Sequence, residues 1–195
     1  MSTTDVTATT TRRPRADAVR NRMRVLDAAR AAFAEHGPEA QMEDVARRAG
    51  VGIGTVYRHF PTKQALAEAL VEERFARVLA HQRELLEDPD PWHAIERSFE
   101  FCATLQEQDR NLAGTLAILA GAAAALTGPP DHQRDDLLAA IEAMLVRAHA
   151  VGAIRSDLEA TDFPALYCGL ASVVQAGVAD WRRYLELLLD GLRAR

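Results

Sequence analysis

Between Gln41 and Phe60 the chain runs QMEDVARRAGVGIGTVYRHF, and this stretch constrains the fold more than any other. Met42, Val45, Ala46 and Ala49 recur at helical spacing and make one apolar face of a short helix. Gly50 then breaks the period where a helix end favours a residue that tolerates positive φ. Val51 and Ile53 are placed to bury the turn. A second short segment puts Val56 and Phe60 inward and leaves Thr55, Tyr57, Arg58 and His59 outside. Two short helices joined by a glycine-containing turn form a helix-turn-helix pattern.

The flanking sequence reads as helix throughout. Met1 to Arg15 is Thr-rich and then basic, with no apolar face to bury, and residues 1–16 are expected to be a disordered basic arm. Asp17 to His36 predicts a long helix with Met23, Leu26, Ala29 and Phe33 inward, stopped by Gly37-Pro38. Thr62 is the expected N-cap of a helix that starts at Lys63 and continues past Val78. Asp88-Pro89-Asp90-Pro91 is a break, followed by helices over Pro91–Gln108, Asn111–Leu126 and Asp135–Val151. Thr161, Asp162 and Pro164 mark another helix start, and Asp180 caps a last helix, Trp181–Leu192. No stretch alternates with period two over a strand's length, so the predicted fold is all-α, with about nine helices. The expected organisation is a three-helix unit containing the helix-turn-helix over 17–63, a linking helix over 63–81, and a second helical unit over 82–195.

Charge separates these parts. The whole chain carries a net −5. Residues 1–63 hold eleven Lys and Arg against seven Asp and Glu, a net of +4, whereas residues 64–195 hold twelve against twenty-one, a net of −9. A basic first third suits a nucleic-acid partner, and an acidic remainder faces something else. Arginine outnumbers lysine twenty-two to one, which makes the single lysine, Lys63, conspicuous.

The segment AGVGIGTVYRHFPTKQAL resembles the DNA-reading part of TetR-type regulators, whose pattern runs roughly A-G-V-S-x-G-T-[LV]-Y-x-H-F-x-[ST]-K-x-x-L. Ala49-Gly50-Val51, Gly54-Thr55-Val56-Tyr57, His59-Phe60, Thr62-Lys63 and Leu66 fall on it. The resemblance reaches back through Val25 to Ala29, Phe33 and Gly37. Two positions depart from it: Gln41 and Gly52 stand where the family usually has Ser or Thr as helix caps. Gln is a poor N-cap and Gly an acceptable one.

The resemblance implies a transcriptional regulator, a repressor acting as a homodimer on double-stranded operator DNA. In a helix-turn-helix the second helix enters the major groove while the first crosses the backbone. On that analogy Thr55 and Arg58 face base edges, Arg58 suiting guanine O6 and N7. Tyr57, His59 and Lys63 hold phosphates, Gly54 admits close approach, and Gln41, Met42 and Gly52 complete the contact surface. The alternative is a helical ligand sensor or scaffold without specific DNA binding, which the departures at Gln41 and Gly52 would favour.

The remaining expectations concern the acidic part. Trp92, Phe99, Cys102, Leu116, Met144 and Tyr167 are candidates to line a pocket for a small apolar effector, since such pockets are mostly apolar. Leu170, Val174, Leu185, Leu188 and Leu192 are candidates for a symmetric dimer interface. Cys102 and Cys168 stand far apart with no metal or thioredoxin spacing, and they suit a reducing cytoplasm. The six histidines form no metal-binding pair, and Gly50-x-Gly52-x-Gly54 lacks the strand and Gly-Lys-Ser/Thr ending of a phosphate loop. Neither metal, cofactor nor enzymatic activity is therefore expected. No signal peptide is visible, and the longest apolar run falls short of the roughly 20 residues a bilayer requires. A cytoplasmic protein with no membrane partner is the expectation.

Overall fold

The computed structural model describes residues 13–120, 131–177 and 180–194. Most of the expected arm (1–12) and the expected loop at 127–130 lie outside them. Nine α-helices occur among the described residues. They are α1 (Arg13–His36), α2 (Met42–Ala49), α3 (Ile53–His59), α4 (Lys63–Leu85) and α5 (Pro91–Gln108), then α6 (Arg110–Leu119), α7 (Asp131–Ala150), α8 (Phe163–Ala176) and α9 (Trp181–Leu192). No strand forms among the described residues. One isolated bridge ties Ile154 to Arg193 beside the end of α9. None of the described helices is long and apolar enough to cross a membrane.

Local chemistry explains where the helices begin and end. Thr62 accepts a hydrogen bond from the Ala65 amide at 3.0 Å and opens α4. Asp90 accepts from the Trp92 and His93 amides at 2.9 and 3.3 Å, with Pro91 as the first residue of α5. Asp180 accepts from the Arg182 amide at 3.0 Å and opens α9. Each bond satisfies an amide that has no intrahelical partner. Gly50 closes α2 at φ 62°, a left-handed conformation that other residues adopt at a cost.

Two hydrophobic cores form. The first joins Val25, Ala29 and Phe33 of α1, Val45 of α2, Val56 and Phe60 around α3, and Leu66 and Leu70 of α4. The second gathers Leu85, Trp92, Phe99, Ile141, Met144, Phe163, Leu170, Trp181 and Leu185. Helix α4 contributes its first half to one core and its end to the other. Arg147 of α7 holds that end in place by donating to the carbonyls of Leu86, at 2.7 Å, and of Asp88.

Several expectations change: α4 runs to Leu85 rather than 81, α6 ends at Leu119 rather than Leu126, and α7 starts at Asp131 rather than Asp135. Helix α1 begins at Arg13, so it takes in the last residues assigned to the arm. Pro14 is tolerated there because first-turn amides have no helical partner to lose. Met23 is 59% exposed rather than inward, and Val25 is fully buried, because the packed face of α1 follows 25, 29 and 32. Ile53 is 37% exposed, leaving Val51 to cover the turn. Helix α6, expected in the second helical unit, sends Leu112 and Leu116 into the first core. Its Thr115 hydroxyl also donates to the Phe33 carbonyl at 3.2 Å.

Candidate nucleic-acid interface

Val56 and Phe60 fix the orientation of α3. Both are buried in the first core, so the opposite side of a seven-residue helix must face outward. That side presents Tyr57, which is 44% exposed, and Arg58, with Thr55 and His59 half-exposed beside them. Among the described residues no hydrogen bond or ion pair engages the Arg58 guanidinium. Its neighbours differ: Arg47 pairs with Asp44, Arg48 with Glu35 and Arg20 with Asp17.

Glycine at position 54 has no internal explanation. Its φ is not positive, and a Cβ built there would meet nothing within 4 Å. Glycine weakens a helix by roughly 0.5–1 kcal/mol relative to alanine. The backbone of Gly54 is exposed, so the surface beside it is open.

The N-terminus of α2 is open in the same sense. Gln41 sits at its N-cap without making a side-chain cap. Its Nε2 instead donates to the Glu39 carbonyl at 2.7 Å. First-turn amides left without a cap attract anions. Met42, the first residue of α2, has its side chain buried in the core. Gly52 caps α3 in an extended conformation and is exposed.

Lys63 is half-buried, and its ammonium donates to the Pro38 carbonyl. One of its three donors is thus used to tie α4 to the turn after α1. Two arginines support the motif from α1. Arg22 lies 5.3 Å over the Phe60 ring, and Arg24 Nη2 reaches the Gly50 carbonyl at 3.4 Å. Nothing in the local sequence signals these partners, which stand 26 or more positions away.

The two other candidate sets fare differently. Trp92, Phe99 and Met144 pack together in the second core, and Phe99 lies 4.5 Å from the Tyr167 ring. Cys102 adjoins this group: burial pushes its thiol up to about 12, opposed by the Arg74 charge. Burial also raises the Tyr167 phenol. Leu116 is not among them, because α6 carries it into the first core. Of the dimer candidates, Leu170, Val174, Leu185 and Leu192 are buried within the chain itself. Leu188 is half-buried, and its neighbour Leu187, not anticipated, is 55% exposed. No group of three or more potential metal ligands occurs among the described residues.

Comparison with known proteins places this arrangement. Residues 25–70 match the family model "Bacterial regulatory proteins, tetR family", and residues 90–194 match "Transcriptional regulator SbtR-like, C-terminal domain". A TetR transcription regulatory protein from Mycobacterium vanbaalenii is 36% identical, with 92% of this chain and 99% of that one covered and a TM-score of 0.67. A TetR transcriptional regulator from Streptomyces coelicolor is 34% identical over 89% of this chain and 98% of its own, with a TM-score of 0.64. The uncharacterized HTH-type transcriptional regulator TtgW of Pseudomonas putida is 39% identical over 46% of this chain, a match spanning 62% of that protein's length. With both segments matched, and solved relatives followed along almost their whole length, the chain belongs to the TetR family of transcriptional regulators.

Proposed function

We propose that the protein is a repressor that binds a near-palindromic operator as a homodimer and is released by a small-molecule effector. The observation that carries the DNA reading is the outward face of α3: Tyr57 and Arg58, the latter without a partner among the described residues, stand about one turn from an exposed Gly54 with open space beside it. Thr55 and Arg58 read base edges, and Tyr57, His59 and Lys63 hold phosphates that set the register. The open first turn of α2 takes a further phosphate through its amides, in place of the hydroxyl cap that Gln41 lacks.

Dimerisation uses the outer faces of α8 and α9. The half-buried Leu188 and Leu189 and the exposed Leu187 support this, because the other leucines of α9 are already packed inside. Two reading heads then sit about 34–36 Å apart, one helical turn of DNA. The effector shifts this spacing through its different affinity for the two states of the dimer. The protein has no catalytic role and works in the cytoplasm.

Selection of random duplexes with the purified protein tests the reading, followed by titration of the winners at several salt concentrations. A two-fold-symmetric consensus bound far more tightly than random DNA is expected. Y57A should weaken that binding while the dimer persists. Weak, unselective binding that salt abolishes would leave only the basic N-terminal charge as its cause. The protein would then be a helical sensor without specific DNA binding.

A further inference from the structure

The second half of the molecule is not uniformly apolar inside. Three helices each carry a polar, apolar, polar series at four-residue steps, which keeps each series on one helix face. The series are Arg74, Val78 and Gln82 on α4, then Gln106, Cys102 and Ser98 on α5, and Gln175, Ala171 and Tyr167 on α8. Side-chain hydrogen bonds join them into two rungs. In one, Arg74 donates to Gln106 at 2.6 Å, and Gln106 Nε2 donates to Gln175 Oε1 at 2.9 Å. In the other, Ser98 donates to Gln82 Oε1 at 2.8 Å and accepts from the Tyr167 hydroxyl. Eight residues separate the rungs on each helix, about 12 Å of rise. Between them Cys102 lies close enough to sense both the Arg74 charge and the Tyr167 hydroxyl.

The rungs are unevenly satisfied. Gln82 is fully buried, and among the described residues its Nε2 completes no hydrogen bond, although its side chain lies near the Tyr167 hydroxyl. Among the described residues Arg74 Nη1 makes no hydrogen bond and lies 3.7 Å from Asp109 Oδ2, and Arg77 Nε is also without a partner. These groups are all donors, and two are cationic. Among the described residues Asp109 is the carboxylate paired with both guanidiniums, meeting Arg77 at 3.2 Å. A buried donor left unmade is costly, and a charged one accepts an oxyanion best.

We propose that this face binds the effector and that the effector is an amphipathic carboxylic acid. Its carboxylate takes Arg74 Nη1 in competition with Asp109, and its apolar body lies along the layer of Val78, Cys102 and Ala171. A hydroxyl or carbonyl oxygen at its far end accepts from Gln82 Nε2. The inference rests on the effector reading above and replaces the wholly apolar effector that the sequence suggests.

The test uses the full-length protein and a panel of straight-chain ω-hydroxy carboxylates of increasing length, each with its methyl ester. Thermal melting without DNA reads binding. The acids raise Tm with an optimum chain length and the esters do not. R74M weakens acid binding about tenfold or more, equivalent to about 1.4 kcal/mol. D109N tightens it by releasing both guanidiniums, and it sacrifices no helix cap, since Asp109 makes none for α6. Q82L removes the preference for an ω-hydroxy acid over the unsubstituted acid. A merely structural role for Arg74 and Asp109 would not move acid affinity in opposite directions. Esters that bind as well as acids, a wild-type response in R74M, or no stabilising acid in the panel would each overturn the site. An acid that binds through Arg74 without releasing the selected duplex overturns its role as effector. Release by a compound without an acid group, undiminished in R74M, sinks the acid site and leaves the repressor standing.

Discussion

Replacing Gly54 with alanine separates what the free protein needs from what its partner needs. Gly54 is the second residue of α3, its φ is ordinary, and an added methyl would touch nothing within 4 Å. Alanine restricts the unfolded backbone and favours helix by roughly 0.5–1 kcal/mol. A first-turn position should realise the low end, about 0.5 kcal/mol. For a chain of this size that raises Tm by about 1–2 °C, since 1 kcal/mol is worth roughly 2–4 °C. On DNA the sign reverses. A methyl forced into a close-packed contact costs about 1–3 kcal/mol, and a dimer has two such contacts. Operator affinity should therefore fall by about 2 kcal/mol or more, roughly thirtyfold. Thermal melting and duplex titration of G54A against the wild type measure the two effects in one preparation. A variant that melts lower, or binds the operator as tightly as the wild type, would refute the claim that the glycine serves an external contact.

Three further outcomes follow from the geometry. R147A removes charged donors to the Leu86 and Asp88 carbonyls at the end of α4. It should cost about 1.5–3 kcal/mol and lower Tm by several degrees, with no loss of helix in the circular-dichroism spectrum of the native state. The Asp88 carboxyl is held below the ordinary carboxylate range by the Asp90 amide at 3.0 Å, with a further contribution from His93. A depressed native pKa means stability that is present above the unfolded pKa of about 3.9 and lost as pH falls through the native value. D88N should thus melt below the wild type at neutral pH, and the gap should close in acid. The Cys102 thiol, pushed up to about 12 by burial, stays protonated at pH 8. Peptide mass spectrometry after iodoacetamide treatment should find it largely unmodified in the native protein and alkylated in urea; equal labelling in both would refute the raised pKa.

The helix starts at Lys63, Pro91 and Trp181 and the stop at Gly50 were legible because their causes are local. Thr62, Asp90 with Pro91, and Asp180 act on amides two or three residues away, and Gly50 acts on its own φ. The reading helix was legible for the same reason. Val56 and Phe60 lie four positions apart, so periodicity alone turns Tyr57 and Arg58 outward. Periodicity, however, names a face without naming what the face meets. Met23 and Val25 are equally apolar, and only the positions of α2 and α4 make Val25 the buried one. The leucines of α9 look alike in sequence, yet Leu185 and Leu192 are used inside while Leu187 remains outside. Leu116 follows α6 into the first core, away from the aromatic residues it was grouped with.

The two polar rungs were the least visible. Each joins α5 to α8 across 69 positions, and Ser98, Gln106 and Gln175 individually look like ordinary surface residues. Sequence by itself determined the all-helical fold, its punctuation and the DNA-reading motif, since those depend on interactions within one or two helical turns. Which polar side chains meet inside, and which donors there are left without acceptors, was decided only by the tertiary path that sets α5 parallel to α8 and antiparallel to α4.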